Sequence, residues 1–238
     1  MKRQLVLDIE IYSNYLLVMF KSIDTRKVVS FEAWPGQEID TPKVMSILSE
    51  FQIITFNGLD FDLPLLFMAL RGESVAVVKK AANHIIEGGL RGWQFEQHYG
   101  VKVPKWVDHI DLKEPVPGVQ ISLKLYGARM HSKRLQDLPI DPHAEIAPEQ
   151  RPEMRRYCEN DLDTTIDLWL TARNPKDDII ATRELLSAEF GVDLRSKSDA
   201  QIAEAAIKAR VAKLKGENIY KPEIAPGTVY RYTPPAWV

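Results

Sequence analysis

Near its start the chain places two carboxylates in a segment that otherwise has the pattern of a buried strand. Residues 5–11 are Leu-Val-Leu-Asp-Ile-Glu-Ile. The two-residue period of a β-strand puts Asp8 and Glu10 on the same face, about 7 Å apart. Two carboxylates in a core repel each other and lose hydration, and a divalent cation between them removes both penalties. The strand therefore predicts a metal site whose remaining ligands lie elsewhere in the chain.

The composition excludes several classes of protein. The formal net charge of -2 gives no overall basic field that would indicate nucleic-acid binding, although an acidic metal site cancels basic residues in that sum. The single cysteine, Cys158, excludes an internal disulfide and fits a reducing compartment. No apolar run approaches the roughly 18 residues of a membrane span, and no signal-peptide pattern follows Met1. We therefore expect a cytoplasmic protein, in a bacterium or in a phage-infected host cell.

Strand patterns come first along the chain, and helices then alternate with strands. The polar residues 23–26 make the second and third strands a predicted hairpin, and Thr41-Pro42 predicts a helix N-cap followed by a first-turn proline. The predicted strands are residues 5–11, 15–20, 27–34, 53–56 and 107–112, and the predicted helices are residues 41–51, 63–70, 74–87, 121–130 and 152–172. This order indicates an α/β fold with a mixed β-sheet flanked by helices.

After the long helix the pattern changes to helices alone. One is predicted over about residues 178–190, and a second, opened by a Ser-x-x-Gln capping box, over about residues 198–215. The remaining tail is proline-rich. We therefore divide the chain into a domain of residues 1–175 and a helical C-terminal extension of residues 176–238. The end of this tail suggests a chain cut from a longer one, or a tail that docks on a partner.

A second acidic segment follows the strand at residues 53–56. It reads Asn-Gly-Leu-Asp-Phe-Asp-Leu-Pro from Asn57. Taken alone, Asp62 is interpreted as the N-cap of the next helix. The alternative is that Asp62 lies at the C-terminal edge of the sheet and faces the same cavity as Asp8 and Glu10.

A third acidic segment lies within the long helix. Tyr157 and Asp161 are four residues apart and share a helix face. The neighbouring residues predict that this face is turned inward; they are Met154, Leu162, Thr165 and Trp169. A buried Asp161 needs a metal or a salt bridge to Arg155 or Arg156, and both alternatives are open.

Together the three segments resemble the motifs of the DEDD superfamily of 3′→5′ exonucleases, the proofreading nucleases of the ribonuclease H-like fold. The first motif is Asp-x-Glu, the second, as in family B polymerases, is Asn-x-x-x-Phe-Asp, and the third, in the tyrosine subclass, is Tyr-x-x-x-Asp. The matching residues are Asp8, Glu10, Asn57, Phe61, Asp62, Tyr157 and Asp161. Arg156 occupies the position of the base of the histidine subclass and excludes that subclass. The resemblance covers roughly residues 1–172 and is greatest to exonuclease domains of bacteriophage DNA polymerases.

This resemblance implies two-metal hydrolysis of phosphodiester bonds at the 3′ end of single-stranded DNA, with Mg²⁺ or Mn²⁺ as the ions. The implied metal ligands are Asp8, Glu10, Asp62 and Asp161. Asp8 would bridge both ions, Glu10 and Asp161 would lie on the nucleophile side, and Asp62 on the other. Tyr157 would orient the attacking water, because its ordinary pKa near 10 makes it a poor general base.

The resemblance also implies residues that bind the substrate. Asn57 and Phe61 would hold the frayed 3′ end, Phe61 by stacking on a base. Lys124 starts a Lys-x-x-Gly-Ala segment where family B exonucleases have a hydrophobic residue before the alanine. In this interpretation Lys124 neutralises the charge of a phosphate. The alternative is that it is an ordinary lysine on the solvent-exposed face of a helix. The implied partner is a DNA polymerase domain or subunit.

Other residues with chemical potential are given structural interpretations. Asp108 and Asp111 are interpreted as surface or capping residues. Cys158 is predicted to point away from the face of Tyr157 and to serve packing. The histidines have no metal-ligand spacing; they are His84, His98, His109, His131 and His143.

Two other functions remain open from the sequence. The same carboxylates would serve a stand-alone exonuclease acting on RNA or short oligonucleotides, because no motif reads the 2′-hydroxyl. A non-catalytic module that binds DNA or a polymerase would be marked by loss of a carboxylate, whereas all four are present. The basic residues of the last predicted helix indicate a solvated face or a phosphate contact; they are Lys208, Arg210, Lys213 and Lys215.

Overall fold

The computed structural model of the chain describes residues 2–116, 121–134, 136–220, 227–229, 231 and 233. These residues form an α/β fold around a five-stranded mixed sheet. The strands are β1 (Gln4–Tyr12), β2 (Tyr15–Ser22), β3 (Val28–Ala33), β4 (Gln52–Thr55) and β5 (His109–Asp111). Their order is β3-β2-β1-β4-β5; β2 is antiparallel to β1 and β3, and β4 is parallel to β1 and β5. The predicted mixed sheet and the β2–β3 hairpin are therefore confirmed.

Helices pack on both faces of this sheet. In chain order they are α1 (Thr41–Glu50), α2 (Asp62–Leu70), α3 (Val75–Gly88), α4 (Gly92–Tyr99), α5 (Leu123–Arg129), α6 (Arg151–Ala172), α7 (Ile179–Phe190) and α8 (Asp199–Lys215). A 3-10 turn, Pro148–Gln150, precedes α6. Every predicted helix is present, and α4 is a helix that the sequence analysis did not assign.

Two hydrophobic cores, one on each face, hold the sheet and helices together. On one face Leu7 and Ile9 of β1 pack with apolar residues of α1, α2 and α3. On the other face Val6 of β1 and Ile54 of β4 pack with α6 and with Tyr126 of α5. Each fully buried aliphatic side chain contributes about 1.5–3 kcal/mol to folding. Because helices cover both faces of β1, Asp8 and Glu10 are only partly exposed to solvent.

Local capping explains the two places where helix boundaries differ from prediction. The N-cap of α1 is Asp40, whose Oδ1 accepts a hydrogen bond from the backbone N–H of Lys43 at 3.2 Å, so the predicted Thr41 cap is wrong by one residue. Helix α4 is capped from outside, because the N–H of Gly92 donates to Oδ1 of Asp60 at 2.7 Å. Only Phe95 of α4 is buried, which leaves no apolar period for a sequence pattern to detect.

A buried lysine paired with two half-exposed carboxylates fixes α6 against β2. Lys21 is 5% exposed, and its Nζ lies 2.9 Å from Oε1 of Glu159 and 2.7 Å from Oδ1 of Asp163. Burial alone would lower the pKa of Lys21. The hydrogen bonds and negative charges of the two carboxylates together outweigh this effect, so the pKa is raised above its ordinary value. The lysine therefore stays charged and holds the middle of α6 over the sheet.

The first part of the C-terminal extension packs closely on the rest of the chain. Ile180 of α7 is fully buried in the core that contains α6. Nη1 of Arg195 lies 2.7 Å from Oδ1 of Asp108, beside β5. In contrast, no residue of α8 is buried. The predicted proline-rich end, residues 234–238, lies outside the described residues. None of the described helices has the length and apolar character that crossing a membrane requires.

Candidate metal centre

The acidic residues of the three predicted motifs lie at one edge of the sheet. The parallel strands β1, β4 and β5 all end at this edge. Asp8 and Glu10 lie beyond the last β1–β4 pair, Val6 with Ile54, where β1 continues without β4 beside it. The loop after β4 and the N-terminus of α2 occupy the space that opens there.

Asp8, Glu10 and Cys158 form the centre of this cluster. One carboxylate oxygen from each acid and the Cys158 sulfur lie within 4.8 Å of one another. The Cys158 thiol donates a hydrogen bond to Oδ2 of Asp8 at 3.3 Å. The prediction that Cys158 points away and serves only packing is therefore wrong. Cys158 directly follows Tyr157 and therefore lies about 100° further round helix α6. The face of α6 that packs on β1 is wide enough to include both Tyr157 and Cys158.

Asp62 approaches the cluster from α2. It is the first residue of the helix, after the cap Phe61, so the interpretation of Asp62 as an N-cap is wrong. Its side chain is 4% exposed. Its carboxylate accepts hydrogen bonds from its own backbone N–H and from that of Ile9, which join α2 directly to β1.

Tyr157 and Asp161 complete the cluster from α6. The Tyr157 hydroxyl donates a hydrogen bond to the Asp161 carboxylate, and the Asn160 side chain donates another. Arg155 is paired elsewhere, with Oε1 of Glu32 at 2.5 Å. The Asp161 carboxylate is thus partnered by neutral groups of its own helix.

Burial raises the pKa values of all four carboxylates, and repulsion by other acids adds to this rise for Asp8, Glu10 and Asp62. The pKa of Asp8 and that of Glu10 rise well above their ordinary values, first through burial and then through the other acids. Burial and the nearby charge of Asp111 raise the pKa of Asp62 to about 7, despite its two backbone hydrogen bonds. Burial also raises the pKa of Asp161. Negative charge is therefore concentrated here beyond what the surrounding residues neutralise.

Two lysines offset part of this charge. Lys124 and Lys79 both lower the pKa of Glu10, and Lys124 also lowers that of Asp161. Nζ of Lys124 lies 5.6 Å from the centre of the Tyr157 ring and 3.6 Å from Oδ1 of the exposed Asp137. Lys79 of α3 was not identified from the sequence, where it is one lysine of a Lys-Lys pair on an amphipathic helix.

The loop between β4 and α2 carries the predicted substrate-binding residues. Asn57 adopts a left-handed backbone with φ of 69°, and its Oδ1 accepts a hydrogen bond from Nζ of Lys113 at 2.5 Å. Phe61 is partly buried and packs against the core of the α2 face. Asp111 is 4% exposed and its carboxylate accepts backbone N–H groups of this loop. The surface interpretation of Asp111 is therefore wrong, and its carboxylate caps no helix but binds the main chain of the loop between β4 and α2.

Gly58 in this loop has no room for a side chain. A Cβ at this position would overlap the side chain of Thr55, which is fully buried and hydrogen-bonded to Nε2 of His109 at 2.7 Å. We expect Gly58→Ala to lower the free energy of unfolding in urea by about 1–3 kcal/mol, the usual cost of overpacking. Gly88→Ala is the control, because its Cβ would approach no atom more closely than 3.2 Å, where it meets the His84 ring, and would contact Leu90 at 3.8 Å. Equal stability of the two variants would contradict the prediction.

The histidines do not contribute to the cluster, although two of them are less scattered than the sequence indicates. The His84 and His98 rings lie edge to face with centres 4.8 Å apart. No third metal-binding side chain of the described residues joins them. His109 is buried, which together with the charge of Arg195 lowers its pKa to about 3, so it stays neutral.

The donor set of the cluster fits a hard divalent cation. Four carboxylates supply oxygen ligands, which Mg²⁺ and Mn²⁺ prefer. Burial disfavours the charged form of these acids and raises their pKa values, and a divalent cation would stabilise that charged form. Burial and the neighbouring acids raise the pKa of Cys158. The sulfur therefore remains a thiol that donates to Asp8, since only a thiolate is a good metal ligand.

Compared with protein-family models and with curated proteins, the sequence matches none of them.

Proposed function

We propose that the protein is a metal-dependent 3′→5′ exonuclease that hydrolyses the terminal phosphodiester bond of single-stranded DNA. One observation carries the proposal. Four carboxylates from β1, α2 and α6 meet at one sheet edge with raised pKa values, and a tyrosine hydroxyl is hydrogen-bonded to one of them. The sheet order β3-β2-β1-β4-β5 with helices on both faces supports the further proposal that the fold is ribonuclease H-like.

In this proposal the four carboxylates hold two divalent ions, which supply a nucleophile at neutral pH and stabilise the charge on the leaving 3′ oxygen. The residues that would hold them are Asp8, Glu10, Asp62 and Asp161. Burial and the charge of Asp161 raise the pKa of Tyr157 above its ordinary value of 10.0, so its hydroxyl keeps its proton. Tyr157 therefore orients a water molecule by hydrogen bonding and does not remove a proton.

The loop residues and Lys124 are proposed to bind the substrate. Asn57 and the exposed part of Phe61 border the carboxylates on the β4 side, where they would hold the last base of a frayed strand. Lys124 borders them on the α5 side, where its ammonium group would contact a phosphate. A strand end held between these two sides would present its terminal phosphodiester to the acids.

A polymerase is the proposed partner. Removal of 3′-terminal nucleotides corrects errors only if a polymerase extends the same end, and the resemblance is to exonuclease domains of bacteriophage polymerases. We propose that residues 176–238 lead toward a polymerase domain or subunit, in the cytoplasm of a bacterial host.

The test is degradation of a 5′-labelled single-stranded DNA oligonucleotide in Mg²⁺ or Mn²⁺, beside an EDTA control and a matching RNA oligonucleotide. A ladder that shortens from the 3′ end and disappears in EDTA supports the proposal. Preference for the RNA would replace DNA by RNA as the substrate. If folded protein leaves both oligonucleotides intact, the catalytic proposal is wrong and a binding module takes its place.

The hydrogen bond from Tyr157 to Asp161 gives a separate prediction. We expect Tyr157→Phe to lower kcat by about 10–100-fold, since the attacking water loses the hydrogen bond that orients it. Manganese affinity, measured by titration calorimetry, should stay unchanged because all carboxylates remain. The control is Tyr15→Phe, which removes a hydrogen bond to a carboxylate, Oε2 of Glu32 at 2.9 Å, outside the cluster. Unchanged kcat in Tyr157→Phe would contradict the orienting role.

A further inference from the structure

Asp111 has a set of contacts that the proposed chemistry does not use. Its Oδ1 accepts hydrogen bonds from the backbone N–H of Asn57 at 2.8 Å and that of Lys113 at 3.0 Å. Its Oδ2 accepts the backbone N–H of Leu59 at 2.9 Å. Both oxygens of one buried carboxylate are thus occupied by main-chain donors, two of which belong to the loop between β4 and α2.

This loop determines where Asp62 lies. The N–H of Phe61 donates to the carbonyl oxygen of Asn57 at 3.1 Å, and that of Leu63 donates to Gly58 at 2.9 Å, so the loop winds directly into α2. Asn57 has a left-handed backbone, a conformation that residues other than glycine keep only with support from their surroundings. Asp111 supplies that support from the neighbouring strand.

Asp111 is itself held by the C-terminal extension. Its backbone N–H donates to Oγ of Ser196 at 2.9 Å. The next contact along β5 is the ion pair between Arg195 and Asp108. Since β5 is the edge strand of the sheet, residues 195–196 cover an edge that would otherwise be unpaired.

We propose that Asp111 is a positioning residue: it holds the loop between β4 and α2 so that Asp62 lies among the other carboxylates, and Ser196 holds Asp111. A contact in the extension is thereby connected to the acidic cluster through β5. The consequence for catalysis rests on the proposed exonuclease function, whereas the consequence for the loop does not.

The test uses the full chain with Asp111→Asn. An asparagine keeps the size of the side chain, but its nitrogen cannot accept a hydrogen bond, so the loop loses at least one of its two N–H acceptors. We expect faster hydrogen exchange at the amides of Asn57 and Leu59, by about 10-fold or more. The Kd for Mn²⁺, measured by titration calorimetry, should rise by about 10–100-fold, as for other residues that orient metal ligands.

The matched control is Asp178→Asn. Asp178 is a partly buried carboxylate whose Oδ1 accepts a backbone N–H, that of Ala181 at 2.7 Å, and whose Oδ2 pairs with Arg173, but it lies at the start of α7. In this variant the hydrogen-exchange rates of the Asn57 and Leu59 amides and the affinity for Mn²⁺ should equal those of the wild type, even if the melting temperature falls. Equal effects of the two variants on Mn²⁺ affinity would mean that Asp111 contributes only general stability, and would overturn the proposal.

Ser196→Ala provides a milder variant if Asp111→Asn does not fold. It should speed exchange at Asn57 and Leu59 in the same direction by a smaller factor. Unchanged exchange at these amides in every folded variant would overturn the proposal. If the wild type degrades no nucleic acid, the proposed function fails, and faster loop exchange in Asp111→Asn would still support the positioning role.

Discussion

The double variant Asp8→Asn/Glu10→Gln is expected to lose its exonuclease activity and to become more stable than the wild type in the absence of metal. Both substitutions keep the size of the side chain and remove its charge. Metal-based charge stabilisation is worth several kcal/mol in the transition state, so the rate should fall by at least about 10³-fold. Because burial and repulsion raise both pKa values, removing the charges at pH 8 should add at least about 1 kcal/mol to the free energy of unfolding.

The matched control for this variant is Glu159→Gln/Asp163→Asn. It makes the same chemical changes on α6, but at carboxylates that are ion-paired with the buried Lys21. Loss of these partners leaves Lys21 buried without a counter-charge, so the control should be less stable and should remain active. Activity is followed with labelled single-stranded DNA and stability with urea unfolding in EDTA. If the Asp8/Glu10 variant were destabilised as strongly as the control, repulsion within the cluster would be disproved.

The metal-free protein is expected to lose stability as pH rises from 6.5 to 8. A carboxyl group whose pKa is raised by folding stabilises the folded state fully below its unfolded pKa, near 4, and this contribution is lost as pH rises through the folded pKa. For Asp62 that value is about 7. The folded state binds more protons than the unfolded state in this range, so the free energy of unfolding falls by about 1.4 kcal/mol per pH unit for each proton retained.

The titration of His109 sets pH 6.5 as the lower limit of the pH range in which the loss of stability is expected. Folding lowers its pKa to about 3, so between pH 3 and the ordinary value of 6.5 it makes stability rise with pH and opposes the carboxylates. Above pH 6.5 His109 is neutral in both the folded and the unfolded state, so it no longer offsets the effect of the carboxylates on stability. The melting temperature in EDTA should then fall by about 2–4 °C for each kcal/mol lost.

Manganese should reverse this dependence. The ion binds deprotonated carboxylates, so its affinity rises with pH, and at 100 times its Kd it adds about 2.7 kcal/mol. We expect the fall between pH 6.5 and 8 to disappear at saturating Mn²⁺ and to be smaller in Asp8→Asn/Glu10→Gln than in the wild type. A melting temperature in EDTA that is constant or rises over this window would contradict the prediction.

The regular part of the fold could be predicted because local patterns and tertiary packing agree there. The continuous apolar run of β2 and the inward face of α6 match their burial in the structure, and the break at residues 23–26 correctly separates two strands. Helix α4 could not be predicted, because its N-terminus is capped by Asp60, 32 residues earlier. The first turn of α1 was misassigned because Asp40 and Thr41 are both good caps, and only their backbone geometry distinguishes them.

The candidate site likewise contains residues that the sequence could identify and residues that it could not. Asp8, Glu10 and Asp161 could be singled out because each lies at a position where strand or helix periodicity favours an apolar residue, whereas Asp62 and Tyr157 were assigned to the same site through the resemblance of the three motifs. Cys158 and Lys79 have no such conflict with their surroundings, since cysteine is an ordinary core residue and lysine an ordinary helix residue. Their places near the acids depend on how α6 and α3 are rotated against β1, which no local pattern specifies.

The contact between Cys158 and Asp8 spans 150 residues of the chain, and this has a consequence for the order of events during folding. No short stretch of the chain carries more than two of the four acids, so an unfolded or partly folded chain offers an ion no preformed site. A cation would bind only after the longest loop of the fold has closed. Such an ion stabilises interactions that form after the folding transition state, so it slows unfolding without accelerating folding. The ions of the proposed function would therefore lengthen the lifetime of the folded state without making folding faster.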